Sequence, residues 1–157
     1  MKIRQVKGRD YYTISPLIDE WWGGRHVSEM LPKLFFDHFT RTSFVAEREG
    51  EIVGFLIGFL SQTHSNEAYI HFAGVHPDYR KHSIGKKLYN EFFIEARKNG
   101  RTIVRCVTSP VNKVSVAYHI KMGFQIEKGD KTLNGLSINT NYDGLNQDRV
   151  LFVKKLA

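Results

Sequence analysis

GVHPDYRKHSIGKKLYNEFF, residues 74–93, begins as the end of a strand and finishes as a helix. The helix start is unusual in its charge. Arg80, Lys81, Lys86 and Lys87, with His82 among them, crowd the first turns, and after Arg80 no acid appears until Glu91. A helix N-terminus carries about half a positive charge and favours Asp or Glu nearby. These cations oppose that dipole unless an anion sits between them. Free backbone amides at a helix start form such an anion site, and Gly85 removes a Cβ where backbone must approach a ligand closely. The arrangement suits a bound pyrophosphate; a solvated basic helix end is the alternative that this segment alone leaves open. The chain has no GxxxxGK[ST] motif, which disfavours a nucleotide triphosphatase. It also has no GxGxxG after an early strand, which disfavours a dinucleotide fold.

Outward from this stretch the chain alternates strands and helices. Upstream, AYIHFAGV reads as a strand, and SFVAEREGEIVGFLIGFLSQ reads as two strands joined by a tight turn at Glu49-Gly50-Glu51. DYYTISPLIDEWW, residues 10–22, reads as a helix with Ile14, Leu17, Ile18 and Trp21 on one face and Gly23-Gly24 as its stop. A second short helix is expected near Glu29–Thr40, and a first strand near Lys2–Val6. Downstream, the Gly74 stretch continues as a helix to Asn99 with Gly100 at C′. TIVRCVTS is a buried strand, VNKVSVAYHIKM a helix ending at Gly123, and FQIEKG and RVLFVKKL late strands. Between those last two lies a loop with turn signals at Asn134-Gly135 and Asp143-Gly144. The expected order is β-α-α-β-β-β-α-β-α-β-β, a mixed α/β domain around one sheet, and residues 1–157 form a single domain.

Composition sets the bounds. The chain is 41% apolar and 25% charged, as in a soluble globular protein. A formal charge of +7 asks for anionic partners, or for none if the basic surface is simply solvated. The start MKIRQVKGRD has no apolar run after its charges, and no segment approaches 18 continuous apolar residues, so neither a signal peptide nor a membrane span is expected. The expectation is a cytoplasmic protein without membrane or nucleic-acid partners. The basic residues concentrate at one helix start rather than forming a stripe with exposed aromatics. The single cysteine, Cys106, excludes an internal disulfide and lies in the apolar run VRCV, where a packed thiol is expected. The seven histidines include no HExxH or other tight ligand spacing, so no metal site is expected.

The segment Arg80-Lys81-His82-Ser83-Ile84-Gly85 resembles the acetyl-CoA-binding pattern [R/Q]-x-x-G-x-[G/A] of the GNAT superfamily of N-acetyltransferases. About 30 residues on, Asn112, Ser115, Tyr118 and Gly123-Phe124 resemble the same family's N-x-x-[A/S]-x-x-x-Y-x-x-x-G-F, with Tyr118 one position short of the pattern's tyrosine. The resemblance covers nearly the whole chain and is most specific over residues 67–126. It implies a mostly antiparallel twisted sheet, flanked by helices and splayed at an acetyl-CoA site. It further implies that Phe72, Ala73, Gly74 and Val75 pair with the pantetheine arm. The amides of Lys81, His82, Ser83, Ile84, Gly85 and Lys86, with Arg80, would hold the pyrophosphate. Asn112 and Ser115 would lie on the cofactor side, and Tyr118 would be the general acid for the departing thiolate. One departure is Ser83, where the family usually has glycine; its Cβ calls for an uncommon backbone geometry, while its hydroxyl offers a cap or a phosphate donor.

Acetyl transfer to an amine requires a base for the ammonium proton. Alternation in the strand starting at Glu67 puts Glu67, Tyr69 and His71 on one face, and His71 is the candidate by ordinary pKa. A buried, hydrogen-bonded histidine is the alternative. The resemblance places the acceptor pocket at DEWWGGRH and NTNYDGLNQDR, with Glu20, Trp21, Trp22, Tyr69 and Asp143 as candidate substrate residues. Trp21 and Trp22 cannot both face the core from one helix. The acceptor is expected to be a small-molecule amine, with a protein amine or a catalytically silent CoA-binding module as alternatives; a homodimer stays open.

Overall fold

The computed structural model describes residues Met1–Ala157. Nine strands and four helices follow one another in the expected order, with one added hairpin. Strand β1 (Lys2–Gln5) precedes helix α1 (Asp10–Trp21), whose buried face is Ile14, Ile18 and Trp21. The single helix expected near Glu29–Thr40 is instead a 3-10 turn (Ser28–Met30), a short helix α2 (Leu34–His38) and a second 3-10 turn (Thr40–Thr42). Pro32 explains the break: a residue before proline is pushed out of the helical region, and Leu31 sits at φ −129°, ψ 72°. Strands β2 (Phe44–Arg48) and β3 (Glu51–Leu60) are joined through Glu49 and Gly50, both at positive φ, as a two-residue hairpin turn requires.

Strand β4 (Glu67–Val75) is followed by helix α3 (Ile84–Lys98), strand β5 (Ile103–Thr108) and helix α4 (Lys113–Lys121). The chain closes with β6 (Gln125–Ile126), a small hairpin of β7 (Lys131–Leu133) and β8 (Leu136–Ile138), and β9 (Val150–Lys155). That hairpin lies where the sequence suggested only a loop. Its strands are three residues each and β7 is wholly exposed, so no alternation marks them; the turn signal Asn134-Gly135 was the visible part.

The main sheet runs β1-β2-β3-β4-β5-β9-β6, and every neighbouring pair is antiparallel except β4–β5. Two cores form, one on each face. On one side Ile84, Leu88 and Phe92 of α3 pack on Phe44, Val53, Leu56, Ala68 and Ile70. Gly58 of β3 allows this close approach, since a Cβ there would lie 2.4 Å from Phe92. On the other side Ile14, Ile18, Trp21 and Phe36 cover Val45, Phe55 and Ile57.

Two features of β4 position the site. Ile57 pairs with Phe72 while Gly58 pairs with Ile70, so His71 is an extra residue, a β-bulge. The bulge reverses the alternation: Ala68 and Ile70 enter the α3-side core, whereas Phe72 packs with the α1-side core. Alternation therefore holds from Glu67 through His71 and breaks after it, so that His71 and its successor both serve the α1 side. Second, the parallel pairing of β4 with β5 stops at Tyr69–Arg105, although β4 runs on to Val75 and β5 to Thr108. The sheet forks there.

Candidate active site

The fork, the start of α3 and the inner face of α4 converge. Ser83 precedes α3 at φ 59°, ψ 22°, the left-handed region that its place in the motif foreshadowed. Its hydroxyl makes no cap hydrogen bond. The amides of Lys81, Ser83, Ile84, Gly85 and Lys86 donate to no protein atom, so five N–H groups surround the positive end of the helix dipole. No acid lies in the first turn. Two of the residues expected around this cradle of amides, His82 and Arg80, are turned to other partners. The His82 amide is spent on the Tyr79 carbonyl, and its ring Nδ1 accepts from Arg48 at 3.3 Å. The Ile84 side chain is core, leaving only its backbone to the site. The Arg80 guanidinium folds back, donating to the carbonyls of Val75 and Trp21, and so ties the ends of β4 and α1 together.

Across from the cradle stands Tyr118 on α4. A Cβ on Gly85 would lie 2.8 Å from the Tyr118 hydroxyl, so the missing side chain at Gly85 makes the space in which that hydroxyl sits. The hydroxyl is buried and has no hydrogen-bond partner. An orphaned buried phenol is costly, and a ligand that supplies its partner relieves that cost. Burial pushes the phenol up to about 12, so it remains a donor throughout the physiological range. Helix α4 is held by its own cap: Asn112 Oδ1 accepts from the Ser115 amide at 3.1 Å. That contact occupies the Asn112 oxygen and leaves its amide nitrogen for a ligand. The Ser115 hydroxyl lies 3.3 Å from His119. His119, missed by sequence reading, is buried; its Nδ1–H donates to the Ser115 carbonyl at 2.8 Å and its Nε2 accepts from Tyr89 at 2.9 Å. It locks α4 to α3 from beneath Tyr118.

On the α1 side, His71 stacks on Phe35 with ring centroids 4.3 Å apart, and its Nε2 donates to the Met30 carbonyl at 2.7 Å. The carbonyl can only accept, which leaves Nδ1 as the unprotonated nitrogen. Burial lowers the His71 pKa below its ordinary 6.5, against the raising effects of Met30 and Asp143. His71 is thus hydrogen-bonded and half-buried, with Nδ1 its unprotonated nitrogen. Asp143 is ion-paired with Arg149 at 2.8 Å. Trp21 is a core residue stacked on Phe55, and Trp22 is the half-buried one, lying over Phe72 and across Gly74, where a Cβ would be 2.6 Å from its ring. Glu20 is exposed on α1 and pairs with nothing. Cys106 is a packed thiol, its pKa raised by burial.

The forked parallel pair, the amide-lined helix start and the unpartnered buried phenol thus lie together. The chain belongs to the acetyltransferase (GNAT) family, whose profile it matches over residues 11–124. It is 35% identical over 86 residues to an uncharacterized N-acetyltransferase of Methanocaldococcus jannaschii, a match covering 52% of this chain and 38% of that protein. The match therefore spans well under half the length of that relative. Among solved structures, Ard1 from Thermoplasma volcanium superposes with TM-score 0.79 at 18% identity, covering 99% of this chain and 97% of that one. yncA from Salmonella typhimurium, solved with its cofactor acetyl-CoA, gives 0.72 at 17% identity over 100% and 94%. Diaminobutyrate acetyltransferase from Paenibacillus lautus gives 0.68 at 21% over 97% and 92%. At these identities the likeness concerns the fold. Acetyl-CoA is the cofactor that family membership implies, and the five open amides, the forked strand and the orphaned phenol fit it. No helix is long and apolar enough to cross a membrane.

Proposed function

We propose that the chain is an N-acetyltransferase that moves the acetyl group of acetyl-CoA to the primary amine of a small molecule. The observation that carries this reading is the Tyr118 hydroxyl, buried, unpartnered and fitted against Gly85 at the mouth of the amide cradle. Acetyl-CoA, when bound, supplies a thioester whose C–S bond breaks as the amine nitrogen bonds to its carbonyl carbon. The amides of Lys81 and of Ser83 to Lys86 hold the pyrophosphate, and Lys81 and Lys86 add charge around it. The Asn112 amide nitrogen, free of any protein partner, would serve the pantetheine arm. Tyr118 donates its proton toward the sulfur that leaves. With a pKa of about 12, it is a weaker acid than an ordinary phenol near 10, so its main contribution is a persistent hydrogen bond to the sulfur as negative charge develops there. His71 Nδ1 takes the proton that the ammonium must lose before its nitrogen can attack, directly or through one water.

The test is thiol release from acetyl-CoA over a panel of primary amines, with Tyr118→Phe beside the native protein. Loss of one such donor lowers rate by about 10²–10³-fold, and the CoA dissociation constant should stay within a few-fold, because only the hydroxyl is removed. Undiminished turnover in Tyr118→Phe would remove the assigned role.

A further inference from the structure

Beside the closed end of the fork lies a cleft of about 290 Å³, near the lower end of the size range for small-molecule sites. Tyr69, the last β4 residue paired with β5, forms its floor, stacked on Phe59 with centroids 5.3 Å apart. Tyr142, from the loop before β9, forms an opposing wall and is 48% exposed. His71 follows Tyr69 by two residues on the same side, about 7 Å along a strand. The Asp143 charge next to Tyr142 acts on both His71 and Tyr69. Cleft and base candidate thus lie two residues apart on one side of β4.

The charges of this cleft are already consumed. Arg105 donates through Nε to Glu67 at 2.8 Å and through Nη1 to Glu127. Asp143 is paired with Arg149. The neighbouring Arg101 donates to the carbonyls of Ser61, His64 and Glu67. An acceptor carrying a second ammonium or a carboxylate would meet charges already neutralised by a partner, so it gains little from them. Phe59, Tyr69 and Tyr142 give the cleft its apolar lining, beside Ser61 and the ring of His64. Resting on the acetyltransferase reading above, we propose that the acceptor is a primary amine borne on an uncharged aromatic body. Its ring lies between Tyr69 and Tyr142, and its amine reaches His71 along β4.

The experiment compares 2-phenylethylamine with 1,5-diaminopentane, glycine and kanamycin by thiol release. It also records the thermal shift that each amine alone induces in the unliganded protein. The expected result is a kcat/KM for 2-phenylethylamine at least about ten-fold above each charged acceptor, the scale of discrimination a small apolar pocket provides. Tyr142→Ala, a loop substitution, should raise KM for 2-phenylethylamine about ten-fold while leaving KM for acetyl-CoA unchanged. Preference for the diamine, the amino acid or the aminoglycoside overturns the inference and leaves the acetyltransferase reading standing, as does a Tyr142→Ala protein with native KM. A thermal shift with 2-phenylethylamine that Tyr142→Ala abolishes, without any acetyl transfer, upholds the cleft and overturns the acetyltransferase reading. Absence of both shift and turnover for 2-phenylethylamine overturns the inference.

Discussion

Replacing Ser83 by glycine isolates the cost of the loop that precedes α3. Ser83 holds φ 59°, ψ 22°, and its hydroxyl caps nothing. A left-handed L-residue costs about 1–2 kcal/mol from the approach of Cβ to the following carbonyl. Glycine removes that cost but adds roughly 0.5–1 kcal/mol of unfolded-state entropy. The difference is a stabilisation of roughly 0–1.5 kcal/mol, which for a chain of this length corresponds to a rise of about 0–6 °C in melting temperature. The control is Ser83→Ala, which keeps Cβ and loses the hydroxyl, and should match the native protein. Urea unfolding monitored by fluorescence gives the stability differences, and calorimetric titration with CoA gives the affinities. CoA should bind the glycine variant as well as or better than the native protein, because the cradle amides gain room to approach a pyrophosphate. A glycine variant destabilised by more than about 0.5 kcal/mol, beyond the entropic offset, would refute the strain argument. A loss of CoA affinity shared by Ser83→Gly and Ser83→Ala would show instead that the hydroxyl is a phosphate partner.

Other substitutions separate stability from chemistry. Gly85→Ala should hold or raise stability by up to about 1 kcal/mol through helix propensity. It should also lower kcat, because the new Cβ, 2.8 Å from the Tyr118 hydroxyl, displaces it; thermal melting and turnover on the same samples check both. For His71, the active form is the neutral one and its pKa is lowered by burial. Its limb in a kcat against pH profile should therefore have a midpoint below 6.5, with activity lost as pH falls through it, and His71→Ala should abolish that limb. Asp10 receives two 2.9 Å hydrogen bonds from Arg4 and a 2.7 Å bond from the Lys7 amide. Burial works to raise its pKa, but these donors outweigh burial and lower it. Its stabilisation is thus present above the unfolded value near 3.9 and lost as pH falls below it. Asp10→Asn should cost about 3 kcal/mol at pH 7 and flatten the acid-unfolding limb measured by circular dichroism.

The local signals in this chain were strong wherever one element carries its own explanation. The cationic start of α3, the Glu49-Gly50 turn, Gly100 at the end of α3 and the apolar face Ile14-Ile18-Trp21 all reflect interactions within a few residues, and all appear where the sequence placed them. The Asn112 to Phe124 pattern likewise read as one helix and its stop. Charge at a helix start, positive φ at a turn and helical periodicity are short-range effects, so residue type and spacing suffice to express them.

What tertiary structure alone decided are the encounters between distant segments. Nothing in EAYIHFAGV marks His71 as an extra residue; the bulge exists because β3 pairs on both sides of it and the two cores claim Ile70 and Phe72 in opposite directions. The fork at Tyr69 depends on where β5 and β9 draw their partners. The sequence determined which amides and cations gather at the start of α3. Only folding brought the Tyr118 hydroxyl into the gap at Gly85, spent the Arg80 guanidinium on the Val75 and Trp21 carbonyls, and divided Trp21 from Trp22 between core and site. Those outcomes are set by packing and hydrogen-bond competition among residues dozens of positions apart, and no local pattern encodes them.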